Sequence, residues 1–148
     1  MNSKFTNNVC RSKNKLLNMF TIEQIHQAFE KVKSGADFPQ FAQDLKEIGV
    51  IHYDNFVSDG RTRYYGINGF VLDGESKYPK MEVNNISSAD KLKHAISIHQ
   101  QGQTDYPTFC QQASDAGVEK WTNHMIEMTV TYFDKKGNKL TVESIPKP

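Results

Sequence analysis

Asp37-Phe-Pro-Gln-Phe-Ala-Gln-Asp-Leu-Lys-Glu-Ile-Gly49-Val50 occurs a second time in this 148-residue chain, as Asp105-Tyr-Pro-Thr-Phe-Cys-Gln-Gln-Ala-Ser-Asp-Ala-Gly117-Val118, at an offset of 68. Each copy reads as one short helix. An Asp precedes an aromatic-Pro pair, so a carboxylate can accept from the free amides of the first turn, where proline costs no hydrogen bond. Phe41, Ala42, Leu45 and Ile48 map onto Phe109, Cys110, Ala113 and Ala116, an apolar stripe at helical period. Gly49 and Gly117 close the two helices where a left-handed residue is wanted.

The likeness extends outward. Thr21-Ile-Glu-Gln24 has capping-box spacing, and Ile22, Ile25, Phe29 and Val32 give an earlier helical stripe ending at Ser34-Gly35. Ala89, Leu92, Ile96 and His99 repeat that stripe after Ser87-Ser88. Downstream, Tyr53 meets Trp121, Asn55 meets Asn123, Tyr64-Tyr65 meets Tyr132-Phe133 and Gly69 meets Gly137. Ten of the 36 ungapped positions between residues 37 and 72 are identical to their mates, where chance would leave about two, so a duplication is expected.

After Gly49 the pattern turns to strands: 50–57, then 61–67 beyond Ser58-Asp59-Gly60, then 70–73 beyond the hairpin signal Asn68-Gly69. A fourth strand is expected over 80–86, with Met81 and Val83 on one face. The expected fold is α+β: two repeats (21–73 and 88–141), each helix, helix and antiparallel meander, closed as one pseudo-two-fold domain over 19–148. Two beads on a linker fit less well, because residues 74–87 are not composed like a flexible spacer.

Composition is that of an ordinary soluble globular protein, with net charge +1. Residues 1–18 carry four cations and no acid, so the remainder is at 1 − 4 = −3. That body is not built for phosphate backbones, and no nucleic-acid partner is expected. No apolar run suits a membrane span or signal peptide, and the location expected is cytoplasmic. The polar first 18 residues read as a disordered basic leader, with a nucleic-acid arm as the alternative and Met19 as a candidate start.

Catalytic chemistry finds little support. Cys110 with His99 and Asp105 nearby suggests a nucleophile and base. Yet Cys110 takes the place of Ala42 in the apolar stripe, and His99 that of Val32, so both are expected to be structural. His94 and His99 are five apart on one helix, and no metal site or cofactor is expected. Alternation over residues 61–65 turns Thr62 and Tyr64 to the core and Arg61, Arg63 and Tyr65 to the opposite face, where the other half carries Thr129, Thr131 and Phe133. Arg61, Arg63 and Tyr65 are the candidate binding residues, for a small anionic ligand or an unknown protein; a solvated or covered face is the alternative.

Met19-Phe-Thr-Ile-Glu-Gln-Ile, Lys33-Ser-Gly-Ala-Asp-Phe-Pro, Phe56-Val-Ser-Asp-Gly, Tyr64-Tyr-Gly, His99-Gln-Gln-Gly, Thr104-Asp-Tyr-Pro-Thr-Phe-Cys and Gly117-Val-Glu-Lys-Trp together resemble the YbcV-like family of unknown function, over residues 19–148. Its members are often labelled "phage envelope protein". The resemblance implies a small α+β domain of bacteria or their prophages, with no functional residue to carry over. The reading is therefore a non-enzymatic domain binding a partner or small ligand. A small enzyme using Cys110 or a histidine is the alternative, and a phage structural protein the third; a homodimer stays open.

Overall fold

Thr21 opens the first helix as its spacing predicts. Its hydroxyl accepts from the Gln24 amide (3.2 Å) while its own amide donates to the Gln24 side chain (2.9 Å). The structure, a computed structural model, describes residues 19–148; the expected leader, 1–18, lies outside the described residues. Helix α1 is Ile22–Phe29, shorter than the stripe suggested. Ile25 and Ala28 face the core, whereas Phe29 is 59% exposed. Phe29 sits in the last turn and packs only edge-on against Phe41, so its place in the stripe did not bury it.

Helix α2 spans Phe38–Glu47 and α4 spans Tyr106–Asp115, with Phe41, Ala42, Leu45 and Phe109, Cys110, Ala113 buried as their shared stripe requires. Their starts differ. Asp105 caps α4 by accepting from the Thr108 amide at 2.8 Å. Asp37 instead accepts from the amides of Lys33 and Ser34 (2.9 and 3.1 Å), closing a 3-10 turn at Gly35–Asp37 that runs straight into α2. The expected cap at Asp37 is therefore one turn early. Helix α3, Ala89–Gln100, is capped by Ser88, whose hydroxyl accepts from the Lys91 amide.

Six strands follow the helix pairs: β1 His52–Phe56, β2 Thr62–Tyr65, β3 Val71–Asp73, β4 Val118–His124, β5 Thr129–Asp134 and β6 Lys139–Ser144. Between β2 and β3, Asn68 and Gly69 both have positive φ (59° and 75°), the geometry a two-residue hairpin turn needs. The expected strand over 80–86 does not form. That stretch is a strap whose amides go to different elements, Met81 to the Ser58 carbonyl and Asn84 to the Ser114 carbonyl, so no ladder can develop. Val83 is nonetheless buried and Met81 packs on the core.

The strands form one antiparallel sheet in the order β3-β2-β1-β4-β5-β6. β1 and β4 meet at its centre, with Asp54 opposite Thr122, Tyr53 opposite Asn123 and Asn55 opposite Trp121. Asp54 and Thr122 are 68 residues apart and pair at the centre, and the strand order reads outward from them alike on both sides.

The four helices of the described residues pack on one face. α3 and α4 lie over Val118, Trp121 and Tyr132; α1 and α2 lie over Val50, Tyr53 and Tyr64. Alternation along each strand sends the remaining side chains to the other face, which carries no helix among the described residues. Among the described residues, no helix is long and apolar enough to cross a membrane.

Candidate functional site

Cross-strand partners point to the same side of a sheet, so the strand register alone lays out the open face as three rows. The first runs Arg61, Phe56, Lys120, Phe133, Lys139. The middle row runs Asp73, Arg63, Asp54, Thr122, Thr131. The third runs Val71, Tyr65, His52, His124, Thr129. The offset that relates the halves exchanges the first row with the third: Phe56 with His124, Lys120 with His52, Phe133 with Tyr65, Arg61 with Thr129.

At the centre sits Asp54, only 4% exposed although no helix of the described residues lies above it. Its carboxylate accepts from the Thr122 hydroxyl at 2.6 Å and from Lys120 Nζ at 3.1 Å. A buried carboxylate needs such partners, and charge-assisted bonds of this length are the strong kind. Lys120 Nζ also lies over the Phe133 ring, 5.5 Å from its centroid.

The candidate residues Arg61, Arg63 and Tyr65 come together on this face, but in unequal states. Arg63 is engaged with Asp73 through Nε–Oδ1 at 2.7 Å and Nη2–Oδ2 at 3.4 Å. That hydrogen bond from Arg63 holds the Asp73 carboxyl below its ordinary value. Tyr65 stacks on His52, centroids 4.2 Å apart. Arg61 lies over the Phe56 ring at 4.9 Å. Its Nε is buried and has no hydrogen-bond partner among the described residues. Sequence reasoning missed Asp54, Lys120, Thr122 and His52. The offset could have found the first three, since an antiparallel pairing of β1 with β4 places Asp54 opposite its own mate.

His52 lies between Tyr65 and His124, whose ring is 6.0 Å away and nearly parallel. Burial lowers the His52 pKa below 6.5; Asp54 opposes this, and His124 and Lys120 add to the lowering. The unfolded chain therefore takes up this proton first as pH falls. Its contribution to stability is complete above pH 6.5 and is lost from there down towards the folded value. Denaturation midpoints are expected to fall as pH is lowered through 6.5, and His52→Phe, which keeps the stack on Tyr65, to flatten that fall. An equally steep fall in the variant would remove His52 as its source. The Glu127 amide donates to His124 Nδ1 at 3.1 Å, which assigns the His124 proton to Nε2.

Elsewhere the structure accounts for the other reactive residues. Cys110 is 1% exposed. Burial raises its thiol pKa, against the pull of the neighbouring Tyr106 and Tyr78 hydroxyls and of Lys77, so the reactive thiolate is disfavoured. In a Cys10→Ser background, native protein is expected to react with a thiol reagent only on denaturation. Fast reaction of the folded protein would restore Cys110 as a nucleophile. His99 stacks on Phe109 and its Nδ1 lies 3.0 Å from the Thr104 carbonyl. Among the described residues no three of His, Cys, Asp and Glu lie together as metal ligands. A shallow polar hollow of about 360 Å³ beside Asn84, Asn85 and Lys135 lies away from the open face.

Two likenesses to known proteins bear on this arrangement. The family described as "Protein of unknown function (DUF1398)" matches residues 26–144. A relative from Escherichia coli (strain K12), "Uncharacterized protein YcgX", is 22% identical over 117 residues, which is 79% of this chain and 87% of the relative. Both are of unknown function, as the resemblance implied; neither carries the YbcV-like or phage envelope name.

Proposed function

The chain belongs to the DUF1398 family, and since no activity comes with that membership we propose, from the geometry, that it is a non-enzymatic binding domain whose open sheet face receives a small anionic ligand or a protein partner. The observation that supports this best is Arg61. On a face where Arg63 pairs with Asp73 and Lys120 with Asp54, Arg61 has no carboxylate, and a buried guanidinium N–H without an acceptor is costly to keep for stability alone. With Lys139 at the end of the first row, four cations against two carboxylates leave the face positive within a body of charge −3.

A cytoplasmic setting and kinship with the YbcV-like proteins belong to the same proposal. A thiol enzyme is the weaker reading, because the Cys110 sulfur is enclosed and held protonated.

The test is a thermal-shift screen of metabolites followed by titration of hits against Arg61→Ala and Arg63→Ala. A hit is expected to weaken by about tenfold or more in Arg61→Ala, the loss of one charge-assisted contact. It is expected to weaken less in Arg63→Ala, because Arg63 is already committed to Asp73. Hits undiminished in both variants would move the site off this face.

A further inference from the structure

Ring geometry narrows the chemistry of that ligand. Resting on the binding-face reading above, we propose that the occupant is a small oxyanion, a phosphate ester or a carboxylate, held at Arg61 through its charged group, with no aromatic ring required in the rest of the molecule. The face is rich in aromatics, so a stacked nucleobase is the obvious rival. Stacking needs a free π-face, and His52 has none, lying between Tyr65 and His124, while Arg61 takes one face of Phe56, Lys120 one face of Phe133 and His52 one face of Tyr65. On Phe56 and Phe133 the covering groups are themselves cations, so a ligand approaching from that side meets N–H donors before it meets a π-face.

The donors suit an oxyanion. Arg61 has no carboxylate and no side-chain acceptor among the described residues, and a guanidinium fork matches the geometry of carboxylate or phosphate oxygens. Arg63, two residues on and on the same side of β2, spends Nε and Nη2 on Asp73 and leaves Nη1 over.

The full chain is titrated by calorimetry with inorganic phosphate, glycerol phosphate, succinate, adenosine and adenosine monophosphate. Phosphate, glycerol phosphate or succinate is expected to bind, with adenosine silent and adenosine monophosphate within about threefold of glycerol phosphate. Arg61→Met is expected to weaken binding about tenfold, and Arg61→Lys, which keeps the charge without the fork, by less. The thermal midpoint of Arg61→Met is expected to equal or exceed that of the native chain, so a loss of binding is not a loss of fold. Tighter binding of glycerol phosphate than of succinate would identify an ester as the source, and the reverse a carboxylate. Adenosine binding that is lost in Phe56→Ala but kept in Arg61→Met would overturn the oxyanion while leaving the binding face standing. Oxyanion binding untouched by Arg61→Met would overturn it too. Silence from every probe, with a metabolite screen also empty, would take down both readings.

Discussion

Asp54→Ala is expected to cost about 3 kcal/mol of stability, the low end for breaking a buried ion pair. At 148 residues that is a fall of roughly 6–12 °C in thermal midpoint. The low end applies because Lys120 keeps 35% of its side-chain surface in water and is not stranded when its partner goes. Thr122 is worse off: its hydroxyl loses a 2.6 Å acceptor at the centre of the sheet. Asp54→Asn keeps an oxygen for Thr122 and gives up only the charge, so it is expected to cost less than half as much. Thr122→Val, leaving the carboxylate to Lys120 alone, is expected to cost about 1 kcal/mol. Calorimetric melting of the three variants checks the order. A midpoint for Asp54→Ala within 2 °C of the native chain, by this ~2–4 °C per kcal/mol scaling, would show that the network contributes nothing to folding. Asp54 would then have to be explained as a ligand-facing group.

What could be read from the chain divides by the range of the interactions involved. The stripes Phe41, Ala42, Leu45 and Phe109, Cys110, Ala113 are local periodicities, and they bury as written. So does the alternation that separates Thr62 and Tyr64 from Arg63 and Tyr65. Phe29 failed because a helical stripe says nothing about where the helix stops. The strand expected at 80–86 failed because alternation measures which side chains are buried, as Val83 is, and not whether a neighbouring backbone runs alongside to accept the amides. The cap at Asp37 failed by one turn: its carboxylate reaches Lys33 and Ser34, and choosing between two sets of free amides depends on the preceding turn. At the candidate site, the sequence places Arg61, Arg63 and Tyr65 on one face but cannot say which is free. Arg63 finds its partner on the next strand, Asp73. Lys120, 66 residues from Asp54, is within reach only because β1 and β4 are adjacent.

Gly117→Ala is the other large effect expected, about 2–4 kcal/mol, and it rests on backbone rather than charge. Gly117 closes α4 at φ 81°, where any side chain costs roughly 1 kcal/mol. Gly102 closes α3 at φ 75° with nothing within 4 Å of the place a Cβ would take, so Gly102→Ala should cost that amount and little else. At Gly117 the added carbon would lie 2.7 Å from Ser87 Cα and 2.8 Å from the Ile86 carbonyl oxygen. Both are backbone atoms of the strap, so no rotamer change relieves the overlap, and overpacking of this kind adds about 1–3 kcal/mol. The strap cannot retreat freely either. Ser88 donates its amide to the Ala116 carbonyl and caps α3, while Ser87 donates its hydroxyl to Asp134 at 3.1 Å, at the end of β5. Relief at Gly117 is therefore expected to loosen the α3 N-terminus and the β5–β6 turn together. Amide exchange should quicken at Lys91 and Asn138 in Gly117→Ala and stay unchanged in Gly102→Ala. Equal costs for the two variants would mean that the strap yields without resistance, and that the close approach of residues 86 and 87 does not hold the second helix pair in place.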